Sequence, residues 1–289
     1  MKHILKKALL FVSRCLPDAA YLKLMYRRQV GRKLSLQDPR SFNEKLQWLK
    51  LYDRNPAYIE WVDKYAVRQY IADRIGKEYL IPLIGVWDSP EEIDFDALPG
   101  RFVLKCTHDS GGVVICEDKK TFDAKGAREK LRRYMRKNYF WIGREWPYKN
   151  IRPRIICEQY MSGEAGGELK DYKFLSFNGE VKCLFVCLNR DSKEGLNVDF
   201  YDLDWNAMPF ERHYKRSGQA LLKPRNFDKM IALAQTLSKN IPFIRVDFYE
   251  ADGKIYFGEL TLYPGNGFEE FTPESYDDLL GSWIHLPLQ

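Results

Sequence analysis

Apolar and polar residues alternate most cleanly near the C-terminus. There Ile244–Tyr249 and Lys254–Leu260 read as two strands joined at the turn Ala251-Asp252-Gly253. The same period-two pattern predicts a pair of strands at Asp171–Phe177 and Val181–Leu188 across Asn178-Gly179. Another pair, Arg101–Thr107 and Val113–Cys116, spans the loop His108-Asp109-Ser110-Gly111-Gly112, and single strands are expected at Arg154–Tyr160 and Gly195–Leu203. EYLIPLIGVW reads as a strand with Pro82 at its entry, hence near a sheet edge. Helical spacing appears elsewhere. Ser41 and Glu44 form a capping box ahead of FNEKLQWLKLYD, and a second helix is expected over Trp61–Ile75, stopping at Gly76. Further helices are predicted at Ala124–Asn138, Asn226–Lys239 and Ser275–Trp283. Helices followed by antiparallel hairpins give an α+β chain.

Composition narrows this picture. A chain of 289 residues with 45% hydrophobic and 15% aromatic residues can bury a full core in two or three lobes. The six cysteines, at 15, 106, 116, 157, 183 and 187, show no metal-site spacing, and Cys183 and Cys187 share one face of a strand. No signal-peptide pattern opens the chain, so the reducing cytoplasm is the expected setting.

The net charge of +6 is unevenly distributed: residues 1–33 hold nine Lys/Arg against one acid, and residues 119–154 hold thirteen against three. Such segments favour acidic partners. In the first, Ile4, Leu5, Ala8, Leu9, Phe11, Val12 and Leu16 follow a helical period, while the apolar run Ala8–Val12 is too short to span a bilayer. A basic amphipathic leader of this kind can lie on an anionic membrane surface, on the inner face of the cell membrane, or dock as an ordinary helix. The second segment interleaves basic residues with Tyr139, Phe140, Trp141 and Trp146, but no nucleic-acid module frames it, and nucleic acid is a disfavoured partner.

Candidate chemistry gathers in the C-terminal hairpin. It can bring Asp247 and Glu259 together as hard oxygen donors for a divalent ion, with Arg245 on the face of Asp247. The following Pro264-Gly265-Asn266-Gly267 can turn backbone N–H groups toward an anion. Neither GxGxxG nor GxxxxGK[ST] is present, and no Ser-His or Cys-His nucleophile stands out.

Arg245-Val246-Asp247-Phe248 followed by Glu259, Pro264 and Gly265 resembles the metal-binding end of the ATP-grasp enzymes, above all the D-alanine–D-alanine ligase type, whose pattern reads R-V-D-F, a gap, then E-x-N-x-x-P-G. Thr261 stands where that pattern has Asn, a weaker ligand that puts the second metal position in question. The resemblance implies an ATP-grasp fold, two α+β lobes enclosing the nucleotide. It implies ATP with two Mg²⁺ ions (Mn²⁺ as the alternative) held by Asp247, Glu259 and Thr261. Lys105 and Lys173 correspond to the phosphate-contacting lysines, and Asp109, Ser110, Gly111 and Gly112 to the loop covering the phosphates. Glu158, Gln159 and Tyr160 match the hinge that reads adenine and ribose. Arg245 would hold the acyl-phosphate oxygen, helped by backbone N–H groups near Gly265, and His108 lies beside the phosphate loop.

SFNEKLQWLKLYDRNP, DKYAVRQYIADRIGKEYLIPLIGVWDS and FVLKCTHDSGG narrow the likeness to the ATP-grasp proteins of teichuronopeptide and capsular polysaccharide biosynthesis, over residues 35–285. Lys64 belongs to a matching motif and would reach phosphate or a substrate carboxylate. The domains expected are a basic leader (1–34), an N-terminal α/β region (35–100), a small lobe (101–160) and a metal-binding lobe (161–289). The implied activity is a carboxylate–amine ligase joining an amino acid or amine donor to an acidic, uronic-acid-containing glycan through an acyl phosphate. A sugar or polyol kinase, a glycosyltransferase (disfavoured by the lack of D-x-D) and a non-catalytic membrane scaffold are the alternatives.

Overall fold

A computed structural model describes residues 14–163, 167, 169–189 and 195–287 of the protein. Most of the amphipathic pattern expected at the N-terminus lies outside these residues. After that pattern comes helix α1 (Asp18–Gln29), docked through Tyr21, Leu22 and Tyr26 against Leu34, Leu36 and Phe268. Over this stretch the leader is therefore an ordinary packed helix. Among the described residues no helix is long and apolar enough to cross a membrane.

Helix α2 (Phe42–Tyr52) begins at the expected capping box: the Ser41 hydroxyl accepts from the Glu44 N–H, and the Glu44 carboxylate accepts from the Ser41 N–H. The single helix expected over 61–75 is two, α3 (Ala57–Val62) and α4 (Val67–Arg74). Asp63 breaks the run. Its carboxylate takes the N–H groups of Tyr65 and Ala66, an arrangement that competes with helix, and the Lys64 N–H is drawn to the Thr107 carbonyl at 3.1 Å.

Two antiparallel sheets follow. The smaller contains β1 (Leu83–Trp87), β2 (Phe102–Cys106), β3 (Val113–Cys116) and β4 (Ile155–Gln159) in the order β1-β4-β2-β3. As Pro82 suggested, β1 is an edge strand, with an irregular register between Leu83 and Gly85. One face of this sheet (Phe102, Leu104, Ile155, Cys157) packs on the basic helix α5 (Ala124–Met135) through Ala127 and Leu131. A short helix, α6 (Phe140–Gly143), follows α5 and packs by α1. Alternation sends Val103, Lys105, Val113, Ile156 and Glu158 to the other face.

The larger sheet holds β5 (Asp171–Phe177), β6 (Glu180–Leu188), β7 (Asn197–Tyr201), β9 (Phe243–Ala251) and β10 (Lys254–Thr261), ordered β10-β9-β5-β6-β7. A two-residue ribbon pairs β8 (Glu211–Arg212) with β11 (Phe271–Thr272). Asn178-Gly179 and Asp252-Gly253 adopt positive φ at both positions, as two-residue hairpin turns require. One face of the larger sheet (Phe174, Val246, Phe248) buries against helix α7 (Phe227–Ser238), with Phe174 and Phe227 rings 6.0 Å apart. Helix α8 (Ser275–Ser282) closes the lobe against α2.

The region expected as a separate unit at 35–100 is divided. Its helices α2, α3 and α4 contribute Phe42, Leu46, Trp61 and Ile71 to the larger core, whereas β1 joins the smaller sheet. The apolar residues of those helices have more surface to cover on the larger sheet than on each other, which decides where they pack.

Candidate functional site

The second faces of the two sheets look at one another across a cleft. From the smaller sheet come Lys105 and Glu158; from the larger come Asp171, Lys173, Arg245, Asp247, Glu259 and Thr261. Cross-strand pairing explains the larger sheet's cluster: Lys173 lies opposite Asp247, Asp247 opposite Glu259, and Arg245 opposite Thr261. The last two pairs depend on a bulge between Phe257 and Glu259. The hairpin register from its turn would set Glu259 against Val246, on the helix-covered face; one extra residue, Gly258, brings it round to the cleft. An added Cβ at Gly258 would lie 3.2 Å from the Asp247 carbonyl oxygen, so glycine suits the close approach.

Asp247 is buried, with Arg245 donating to both its oxygens at 2.7 Å and Lys173 paired to Oδ2. Lys173 also meets Asp171 at 2.7 Å, and Arg245 reaches Glu259 Oε2 at 3.2 Å, where the Thr261 hydroxyl also sits at 3.2 Å. Burial alone would raise the Asp247 pKa, but the adjacent Arg245 and Lys173 outweigh it and hold the carboxyl below its usual range. Burial likewise opposes charge on Arg245 and Lys173; for each, the neighbouring carboxylates win and the pKa is raised. Lys173, Arg245 and Asp247 thus hold one another in the charged form.

On the facing sheet, Glu158 accepts from Lys105 and from Arg68, each at 2.7 Å. Lys64 stands 3.8 Å from Glu259 and donates to the Asp109 carbonyl, tying the helix break to the glycine loop and the β9–β10 hairpin at once. Within that loop the Asp109 carboxylate takes the N–H groups of Gly112 (3.0 Å) and Gly111 (3.4 Å). Asp109 is thus the buried residue that shapes the loop, and both it and the exposed Ser110 line the cleft. A Cβ at Gly112 would sit 2.7 Å from Cys106 Sγ.

Three cavities run along the cleft. The first, about 220 Å³, lies between Lys64, Lys105, Lys173, Asp247 and Glu259. A second, about 410 Å³, adjoins it through Ser110, Lys173 and Glu259 and reaches Arg212, Arg245 and Gly265. The third, about 580 Å³, shares Lys105, Val113, Asp171 and Tyr249 with the first and extends past Gln159 and Tyr160. The Tyr160 ring is covered by Arg101 at 4.0 Å, and its hydroxyl donates to Glu117.

A model of the TupA-like ATPgrasp family matches residues 44–285. The chain belongs to that family. ATP-grasp ligases use ATP with Mg²⁺, and the two-lobed α+β arrangement of antiparallel sheets is the fold of the superfamily. Similar solved structures include a D-alanine–D-alanine ligase from Helicobacter pylori, at 13% identity and TM-score 0.45, covering 86% of this chain and 68% of that one. The ATP-grasp ligase PsnB, complexed with a phosphomimetic precursor variant, Mg and ADP, matches at 12% and 0.43, covering 83% and 65%. The ADP complex of purK, an N5-carboxyaminoimidazole ribonucleotide synthetase, matches at 18% and 0.42, covering 76% and 50%. The chain thus spans just under two thirds of the PsnB ligase. No curated protein sequence matches it.

As a TupA-like ATP-grasp chain it is tested by its donor set. Asp247 and Glu259 present hard oxygens from two paired strands to one cavity, with the Thr261 hydroxyl 3.2 Å from Glu259 Oε2, and Lys64, Lys105 and Lys173 ring that cavity with positive charge. Among the described residues no cluster of three or more His, Cys, Asp or Glu forms a metal site by itself. Two carboxylates with a hydroxyl, open to a polyphosphate, suit Mg²⁺, which prefers few protein ligands plus substrate oxygens. The residues fit the pair of groups.

His108, expected beside the nucleotide, is instead buried with Nε2 3.2 Å from the Lys137 carbonyl beyond the end of α5, and burial lowers its pKa. The Pro264–Gly267 loop also differs from expectation. Its carbonyls are the groups engaged: Asn266 O accepts from Lys50 (2.6 Å) and Gln47 (3.0 Å), and Pro264 O accepts from Arg212 (2.7 Å). Lys50, fully buried on α2, also donates to Gln47 Oε1 and Gly143 O. Nothing in the helical pattern singled it out, since one lysine in a capped amphipathic helix reads as solvated. Asp171 could have been found, standing two residues before Lys173 on the same strand face. Arg68 could not, because its partner is 90 residues away.

Proposed function

We propose that this protein is an ATP-dependent carboxylate–amine ligase acting on a uronic-acid-containing glycan or its precursor. The observation that carries the reading is the opposed set Lys173, Arg245, Asp247 and Glu259, in which each charge on the sheet is matched and the whole opens onto a lysine-lined cavity. The third cavity, beside Gln159 and Tyr160, suits the base and ribose, and Lys105 and Lys173 suit the phosphates. Glu158, by accepting from Lys105 and Arg68, positions Lys105. Mg²⁺ held by Asp247 and Glu259, with Thr261 beside them, supplies charge neutralisation for phosphoryl transfer.

Arg245 is the donor this reading assigns to the acyl-phosphate oxygen, and the second cavity, which it lines, has room for both acceptor and amine. In the ligation step the C–N bond forms as the C–O bond to phosphate breaks; inorganic phosphate leaves and the amine proton passes to solvent. The basic segments at the N-terminus and around α5 suit an acidic glycan, and a cytoplasmic protein resting on the inner membrane face through residues 1–33 would meet a lipid-linked form of it.

Mg²⁺-dependent ADP release across uronic acids and amines tests this. Release requiring a carboxylate and an amine together, and lost in Lys173→Ala and Glu259→Ala proteins that still fold, is the expected result. Release with a hydroxyl acceptor alone would make the protein a kinase instead.

A further inference from the structure

We propose that Arg212 and Glu269 form the recognition site for the amine donor, and that this donor is an amino acid or peptide bound through its carboxylate. The inference rests on the ligase reading and specifies its second substrate.

The second cavity has an apolar wall of Phe185, Val198 and Phe200 from the larger sheet, and Arg212 and Glu269 from the β8–β11 region. Arg245 also lines it, but its guanidinium is engaged twice with Asp247 at 2.7 Å and again with Glu259. Arg212 is differently placed. It is 3% exposed, its guanidinium lying 5.2 Å from the Phe42 ring and 5.5 Å from that of Phe271. Nη2 donates to the Pro264 carbonyl at 2.7 Å, and its carboxylate partner Glu269 stands off at 3.3 Å, a longer pairing than any made by Asp247. Burial, against the opposing pull of Glu269, lowers its pKa. With one carboxylate standing off at 3.3 Å against the two that engage Arg245, Arg212 has more of its charge left for an added anion.

The chemistry of the pair identifies what it would bind. A guanidinium and a carboxylate side by side on one cavity wall complement a zwitterion, with the ligand carboxylate on Arg212 and its ammonium toward Glu269. Because the same cavity is lined by Arg245 and Glu259, an amine held there faces the place where the acceptor carboxylate is activated. Two aromatic rings and a backbone carbonyl fix the Arg212 fork, so binding costs little ordering. A simple amine lacking the carboxylate would leave Arg212 without that partner, and sites built this way discriminate strongly against the analogue that lacks the group.

The test pairs two measurements on the full chain. Amino acids and their decarboxylated amines (L-alanine with ethylamine, L-serine with ethanolamine, L-valine with isobutylamine, each amine free of any carboxylate) are titrated calorimetrically in the presence of MgADP. Hydroxylamine, which needs no carboxylate, is used separately to trap acyl phosphate formed from glucuronate and MgATP. At least one amino acid should bind roughly 30-fold more tightly than its decarboxylated analogue, with Arg212→Gln removing the difference and Arg212→Lys restoring part of it. Both variants should keep the wild-type urea denaturation midpoint, which separates lost recognition from lost folding. A wild-type protein that makes the hydroxamate yet binds none of the amino acids in the calorimeter, or that binds amino acid and amine with equal affinity, overturns the proposal. Arg212-dependent amino-acid binding without hydroxamate from any uronic acid supports this site and counts against the ligase reading alone.

Discussion

Two clusters of buried charge lie within this protein and behave in opposite ways. In the cleft, Lys173, Arg245 and Asp247 hold one another ionised, each with its pKa moved toward the charged form despite burial. Behind the Pro264–Gly267 loop, Lys50 and Glu145 are just as buried, yet burial dominates: Lys50 is pushed down to about 7 and Glu145 up to about 7. Partners make the difference. The cleft cluster pairs charge with charge at 2.7 Å, whereas Lys50 is surrounded by neutral oxygens, the Gln47 amide and the Gly143 and Asn266 carbonyls, at 2.6–3.0 Å. In the first arrangement a carboxylate can exchange a lysine or arginine contact for a metal ion, and the cation so freed can take a phosphate. The second is closed by backbone and serves to pin the loop after β10 to α2 and to the end of α6. Low-dielectric burial of an ion signals a binding site when the cluster faces a cavity, and a staple when carbonyls seal it.

The largest effect expected from that contrast is at Asp247. Asp247→Ala leaves Lys173 and Arg245 buried around a missing charge, which costs about 3–5 kcal/mol in metal-free protein and abolishes ADP release. Urea denaturation with and without Mg²⁺ reads the first part, and a loss below 1 kcal/mol would mean the cleft charges are solvated. Lys50→Met removes the staple's donor and orphans three acceptors, offset by relief of a desolvated ammonium, for a net loss of roughly 1–3 kcal/mol. Equal or greater stability would show that the loop holds without it.

The smallest effect is in the pH profile. The native state keeps the Glu145 proton between its ordinary pKa of 4.5 and about 7, so stability from this group falls as pH rises through that window. Lys50 loses its proton near 7 when folded and near 10.5 when unfolded, so its contribution rises with pH above 7. The pair therefore gives a stability minimum near pH 7. Subtracting the profile of a Lys50→Met, Glu145→Gln double variant should expose it; a flat difference from pH 5 to 9 would break the comparison.

Much of the cleft was legible because strand alternation and hairpin turns are local. Asp252-Gly253 and Asn178-Gly179 declared the hairpins, and Arg245-Val246-Asp247-Phe248 declared which side chains share a face. What escaped notice needed the third dimension. The Gly258 bulge decides whether Glu259 faces the cleft or the core, and a lone glycine in a strand does not announce a change of register. The break at Asp63 arises from a distant carbonyl, Thr107 O, competing for the Lys64 N–H, so no proline or glycine marked it. Lys50, Arg68 and Arg212 take their meaning from partners far along the chain.

The central claim, that the β9–β10 carboxylates are a metal-dependent nucleotide site, is tested most directly by calorimetric titration of ADP with and without Mg²⁺ on the wild-type protein and on Glu259→Gln. This substitution keeps the side chain's size and spares the buried Asp247 network. The account predicts that Mg²⁺ tightens ADP binding at least tenfold in the wild type, a gain of about 1.4 kcal/mol, and that Glu259→Gln loses this gain while binding ADP alone as before. Equal affinity with and without Mg²⁺ in the wild type, or an unaltered Mg²⁺ response in the variant, would contradict it.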